Sequence, residues 1–287
     1  DRLYGRGTAD NKGQHLINLL AMEAVIKARG ALGFNATWLI EMSEETGSPG
    51  LDTFCAANRD LLEADVLIAS DGPRMSTDVP LVFLGARGAI NFTLTVDLRD
   101  GAHHSGNWGG LLSDPAVILA HALATITDAR GQISIPEWRP NSLTSDIRAL
   151  IKRLPVPVGP QIDPDWGDAD LSPQERVYGW NSFAVLAMQS GQPMAPVNAI
   201  SGVASATCQL RFVTGTNADD IVPALRRHLV AHGFSHVDVT EQERGRFAAT
   251  RSDPANPWVQ KVMESLQRTT GQTPHLAPNL GGSLPNH

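Results

Sequence analysis

The pattern of apolar and polar positions changes character along the chain, and each change predicts a different kind of element. From His15 to Arg29, "HLINLLAMEAVIKAR" carries apolar residues at helical spacing, and Gly30 is placed to end the helix. "NATWLIEMSEETGSPG" is a short apolar strand that runs into acidic residues and then a Gly/Pro turn. "SPGLDTFCAANRDLL" follows as a helix, and "ADVLIASDGP" as a second apolar strand stopped by Asp-Gly-Pro. Strands with continuous apolar cores alternating with helices predict a parallel sheet covered on both faces.

Near Gly85 the period shifts. "GAINFTLTVDLRD" alternates as a half-exposed strand does, and "DPAVILAHALATI" is an amphipathic helix with Pro115 in its first turn. Residues 128–177 are rich in Pro, Asp and Arg and read as an insertion without clear pattern. "NSFAVLAMQSG" and "VASATCQLRFVTG" are strands, "NADDIVPALRRHLVAHG" a helix and "HVDVTEQE" a last strand. That β-α-β-β-α-β order predicts a small antiparallel sheet with helices on one face, the ferredoxin-like arrangement. "NPWVQKVMESLQRTTG" then returns to the helical pattern of the first region. The expected organisation is a first domain in two parts, residues 1–86 and 247–287, with residues 87–246 inserted between them.

The 287 residues, 42% hydrophobic and 18% charged, are those of a globular chain able to bury a core. A formal net charge of −7 argues against a nucleic-acid partner, which calls for a basic face. No apolar run is long enough to span a membrane. Cys55 and Cys208 are too few for a disulfide framework or a cysteine-rich zinc site, and fit a reducing, cytoplasmic compartment.

The carboxylates fall at chosen places. Asp10 follows the first segment, Glu44 and Glu45 follow "TWLI", and Asp71 follows "VLIAS". In open α/β sheets ligands bind at the carboxyl ends of the strands. Acids gathered there repel one another unless protons or cations neutralise them, and oxygen ligands suit zinc, manganese or cobalt. Singly, each acid reads more simply as a solvated loop residue or, for Asp71 before Gly-Pro, as a turn former. The glycines of "GRGTADNKG" suggest a phosphate cradle. But Asp10 takes the place of the third glycine of G-x-G-x-x-G, no Gly-Lys-Ser/Thr follows, and an aspartate would repel the phosphate.

Together these segments resemble a known family. "YGRGTADNKG", "EMSEETGS", "ASDGP", "AHHSGNWGG", "PVNAI", "CQLRFV" and "NLGGSLP" occur in the order found in the dizinc exopeptidases and deacylases. These include carnosinase-type dipeptidases, glutamate carboxypeptidases of the G type, aminoacylases, acetylornithine deacetylase and succinyl-diaminopimelate desuccinylase. The resemblance covers essentially the whole chain. It implies an αβα catalytic domain with an inserted ferredoxin-like lid and dimerisation domain, two divalent metal ions (zinc first, cobalt or manganese as the other fits), and hydrolysis of dipeptides or N-acyl amino acids. Asp10 resembles the carboxylate that bridges the two ions, Glu45 the ligand of one and Asp71 the ligand of the other. Glu44 resembles the general base that takes a proton from the water the metals activate. His104, chosen over His103 by the His-Ser-Gly pattern, resembles the histidine that steadies the oxyanion, often from a partner subunit. Asn198 and Arg211 match substrate-binding positions, Arg211 suiting a terminal carboxylate through its planar fork. Gly281, Gly282 and Ser283 resemble a loop whose backbone approaches the substrate.

Two ligands of the family's pattern have no match. A His-x-Asp segment is expected upstream of Asp10 and a second histidine well after "GGSLP", and His287 stands too near the glycine loop for that role. The expectation is therefore a chain truncated at both ends, whose metal affinity is weakened. A homodimer is expected through the strand around residues 89–110, with His104 acting across the interface. The rival reading is a non-catalytic member that only binds metal or assembles.

Overall fold

Helix α1 (Lys12–Arg29) begins ahead of the predicted start and ends as expected. Gly30 adopts the left-handed region at φ 81°, and its N–H bonds the Ile26 carbonyl. The computed structural model describes residues 2–71, 74–156, 159, 161–242 and 246–285. These divide into two compact units, residues 1–74 and 75–287. Gly72 and Pro73 of "SDGP", and His287, lie outside the described residues.

In the first unit the predicted helix after Gly50 is broken into α2 (Leu51–Ala57) and α3 (Arg59–Leu62). Asn58 makes the break, its side-chain amide donating to the Phe54 carbonyl at 2.9 Å. The predicted strands over "TWLI" and "VLIAS" are not formed: Thr37–Ile40 and Val66–Ser70 belong to no ladder. A strand exists only through the hydrogen bonds of a neighbouring strand, and the described residues of this unit supply none beside these segments.

The second unit begins with a parallel pair, β1 (Leu81–Phe83) against β6 (His275–Ala277). Between them lie β2 (Gly88–His104), α4 (Ser105–Trp108), α5 (Pro115–Ile126), α6 (Ser145–Ile151), α7 (Pro173–Tyr178), β3 (Ser182–Ser190), β4 (Ala199–Phe212), α8 (Ile221–Ala231), β5 (Asp238–Glu241) and α9 (Pro257–Thr270). The four longer strands form an antiparallel sheet in the order β3-β4-β2-β5, so the ferredoxin-like topology is as expected. Alternation builds its core: Ile90, Phe92, Leu94 and Val96 of β2 meet Ala204, Ala206, Cys208 and Leu210 of β4 beneath α5 and α8. Asp114 caps α5 by accepting from the amides of Ala116 and Val117.

Two expectations change. The described residues of 128–177 pack around Ile133, Ile135, Trp138, Ile147, Ile151 and Leu154, all buried. Trp138 donates from its indole nitrogen to the Ile221 carbonyl, and Ser172 with Glu175 forms a capping box on α7. The strand expected to carry dimerisation, β2, is covered by β4 on one side and by β5 over residues 92–95 on the other, while residues 96–104 have no second ladder partner among the described residues. The free edge beside β4 belongs to β3, where Val185, Leu186 and Met188 are exposed.

The chain enters and leaves this sheet side by side. Ala89 bridges Phe247, Thr250 N–H donates to Ala86 O, and Ser252 N–H donates to Leu84 O. No helix among the described residues is long and apolar enough to cross a membrane.

Candidate functional site

In the first unit, the charges of the other sequence-predicted acids act on one carboxylate, that of Glu44. The "GRGTADNKG" segment turns at Gly7, which sits at φ 73°, so that Lys12 N–H reaches Gly7 O at the start of α1. The Asp10–Asn11 peptide that follows is cis. Asn11 then donates to Ser70 O at 3.2 Å, which ties the residue after Asp10 to the residue before Asp71. Glu44 and Glu45 open a single turn of 3-10 helix closed by Gly47 in the left-handed region. Arg6 meets Glu45 at 3.2 Å, an exposed pair of small energetic weight.

Burial first, then the charges of Asp71, Glu45, Asp10 and Glu41, raise the Glu44 carboxyl above its ordinary value. All three proposed ligands therefore act on the proposed base. Glu41 joins them, and sequence reasoning passed it over. Its place directly after the apolar run "TWLI" was the available signal. Glu41 Oε2 and Asn11 Oδ1 are buried without a hydrogen-bond partner. Repelling carboxylates beside orphaned oxygens are the donor chemistry of a divalent cation. Among the described residues, however, no three histidines, cysteines or acids converge closely enough to hold one ion.

In the second unit the predicted residues form two groups at opposite ends of β4. At one end, Ser105 donates from its amide and its hydroxyl to Asn198 O, at 2.9 and 3.2 Å, so Asn198 sits against the turn after His104. His104 caps α4, its Nδ1 accepting from Gly106 N–H at 3.1 Å. In the neutral ring that leaves the proton on Nε2, a free donor on an exposed side chain. His103 instead lies edge-on to Trp108. At the other end, Arg211 donates to Ser283 Oγ at 3.2 Å, beside Gly282. Twelve residue steps along β4 separate these ends (residues 199 to 211), a span of roughly 40 Å at strand rise. The structure thus joins His104 with Asn198 and Arg211 with Ser283, and keeps the two pairs apart.

A further charged residue at this second group was missed. Arg87, in "GARG", is 5% exposed and donates to Ser182 Oγ and to Arg211 O. A lone arginine before a strand reads as a surface charge. The glycines close on either side of it were the only hint.

Comparison with known proteins places the chain among peptidases. The profile of Peptidase family M20/M25/M40 matches residues 1–284. A "Cysteinylglycine-S-conjugate dipeptidase" of Corynebacterium striatum is 27% identical over 99% of this chain and 63% of its own length. A human "Beta-Ala-His dipeptidase" is 34% identical over 47% of this chain and 27% of its own. Among solved structures, an M20 family metallo-carboxypeptidase from Sulfolobus solfataricus superposes with a TM-score of 0.81 at 24% identity, covering 98% of this chain and 65% of that one. Human carnosine dipeptidase 1 superposes at 0.69 and 22% identity, covering 99% of this chain and 62% of that one. The shared fold is of the α/β class, and this chain spans less than two thirds of those first relatives.

Proposed function

The chain belongs to Peptidase family M20/M25/M40, and on that footing we propose that it hydrolyses dipeptides, and N-acyl amino acids of like shape, with a divalent metal as cofactor. The observation that carries this reading is the Glu44 carboxyl, raised by burial and then by the charges of Asp71, Glu45, Asp10 and Glu41. The dipeptidase names of relatives aligned over the chain favour dipeptides over the other substrates. Asp10, Glu45 and Asp71 would hold the metal. The ion would be zinc, with cobalt or manganese as replacements, and Asp10, resembling the family's shared carboxylate, would serve two of them. When bound, the metal supplies Lewis-acid polarisation and offsets the repulsion among the acids.

The residues of the chain do the rest. Glu44 accepts a proton from the attacking water, the water oxygen bonds to the carbonyl carbon, and the C–N bond breaks as Glu44 passes the proton to the leaving amine. His104 offers Nε2–H to the oxyanion, and Asn198 stands beside it. Arg211 and Ser283, next to Gly282, take the terminal carboxylate of the substrate.

A dipeptide cannot bridge the length of β4. We place His104 and Asn198 at the site of a second copy, in a homodimer formed along the open β3 edge. The parallel pairing of β1 with β6 supports the domain division into 1–86 and 247–287 around an inserted 87–246 lid. Two free cysteines, with Cys208 buried, suit a cytoplasmic setting.

The test uses the intact, zinc-loaded protein. Glu44→Gln is expected to lower turnover of a dipeptide by roughly 10²–10⁴-fold with zinc content unchanged, whereas Glu45→Gln loses metal as well. Near-normal turnover in Glu44→Gln rejects the base, and with it the catalytic reading. Mixing His104→Ala with Glu44→Gln, each inactive alone, restores part of the activity if the histidine serves the partner. No recovery after demonstrated subunit exchange removes that placement.

A further inference from the structure

At the start of β2 the Arg87 guanidinium lies against the backbone of a second arginine, Arg211. Arg87 is 5% exposed, and the backbone that carries it is pinned on both sides. A Cβ on Gly85 would stand 2.0 Å from Thr250 O, and one on Gly88 would stand 2.3 Å from the Phe212 ring. One Nη of Arg87 donates to Ser182 Oγ at 2.6 Å and to the carbonyl oxygen of Arg211 at 3.3 Å. Its Nε is buried with no partner. Ser182 lies opposite Arg211 in the β3–β4 register, and Arg211 reaches on to Ser283. Among the described residues neither arginine belongs to an ion pair.

Buried cations are ordinarily paired, because a desolvated charge without a counter-charge is costly. Burial, and then the charge of Arg211, draws the Arg87 guanidinium down to about 10, so it remains charged at neutral pH. A structure that keeps such a charge beside a second one is prepared for an anion.

We propose that Arg87 is the positioning residue of a carboxylate site in which Arg211 and Ser283 touch the free carboxyl end of a small substrate. Arg87 anchors the Arg211 backbone from beneath. Its charge repels the Arg211 guanidinium outward and adds to the attraction felt by an anion there. Beside Ser283, a Cβ built on Gly282 meets no atom within 4 Å, which leaves room for a ligand against that loop. A neutral amide in place of the carboxylate would leave both cations uncompensated, so the pair is a specificity device for free carboxyl ends. The identity of the carboxylate rests on the peptide reading above. The site itself lies wholly in the second unit and is tested without metal or turnover.

The experiment is calorimetric titration of the full 287-residue chain in chelator with N-acetylglycine and with its neutral amide, at constant ionic strength. Saturable binding of the carboxylate is expected, with the amide at least about tenfold weaker. Arg87→Met is expected to lose roughly tenfold in carboxylate affinity, and Arg87→Lys to regain most of it by restoring the charge. If Arg87 only ties the strands together, Lys and Met weaken binding alike. Should Arg87→Met not fold, Ser182→Ala removes one acceptor that orients Arg87 and is expected to cost about threefold. Equal binding of acid and amide, no loss in a folded Arg87→Met or in Ser182→Ala, or displacement by equimolar chloride each overturns the proposal. Failure here leaves the Glu44 test standing, and failure there leaves this one.

Discussion

Among the described residues of the first unit only Ser48 is buried, while the second unit buries Ile90, Phe92, Leu94, Trp138, Leu210, Leu225 and many more around one sheet. Leu16, Ile17, Leu19 and Leu20 of α1 are all exposed. The first unit holds its acids through turns and a few hydrogen bonds, against their mutual repulsion. The second holds its arginines and histidines on strands fixed by apolar contact. The difference teaches where each unit is vulnerable. The first answers to cations, salt and protons, the second to lost volume.

Side-chain truncation gives the largest contrast. Phe92→Ala removes a ring at 0% exposure, centred 5.9 Å from Trp138 and 6.4 Å from Phe183. It should cost the second unit ~3–5 kcal/mol in urea unfolding followed by tryptophan fluorescence. Leu19→Ala, at 46% exposure in α1, should cost under about 1 kcal/mol. Equal losses would break the comparison.

Helix capping is the next test. Asp114→Ala should destabilise the second unit by ~1 kcal/mol, measured the same way. In α1 the N-cap Asn11 makes no side-chain cap bond, so no matching loss is available there.

The smallest effect is pH-linked. Burial pushes the Glu175 carboxyl up, but hydrogen bonds from Ser172, backbone and side chain, together with Arg148, outweigh it and hold it below its ordinary value. A carboxyl depressed on folding stabilises above its unfolded pKa and loses that contribution as pH falls through its folded one. Glu175→Gln should therefore cost under about 1 kcal/mol at neutral pH and nothing at pH well below the carboxylate range. A loss that persists in acid would assign Glu175 a packing role instead.

The sheet of the second unit was legible because alternation is a property of each strand by itself. "AINFTLTVDL" displays its buried set without knowing its neighbours. What alternation does not say is which strand lies beside which, and β2, expected to present an edge, is covered by β5 over residues 92–95. "TWLI" and "VLIAS" misled for the related reason that an apolar run states a capacity for pairing, and the ladder depends on another segment. The described residues of 128–177 hid their packing because Trp138 and Ile151 are buried from short helices and irregular backbone, which carry no long period. The candidate acids were singled out by their place after apolar runs and by motif order, neither of which requires a formed strand. Arg87 was invisible because its meaning comes from burial, and burial of a single charged residue leaves no period to read.

The strand leaving for the ferredoxin-like sheet and the strand returning from it are hydrogen-bonded to each other at Ala89 and Phe247, and again at Ala86 and Thr250. Everything between passes through one doorway. A segment with adjoining ends can be removed, lengthened or replaced without pulling its flanks apart, because the gap left by excision is already the width of a strand pair. The sheet is in that sense a cartridge. Its outer face, its open edge and its far loops can be remodelled as one exchangeable piece, provided Ile147, Ile151, Leu154 and Tyr178 are kept, because these pack on Leu81, Phe83 and Ala277 of the parallel strands that frame the doorway.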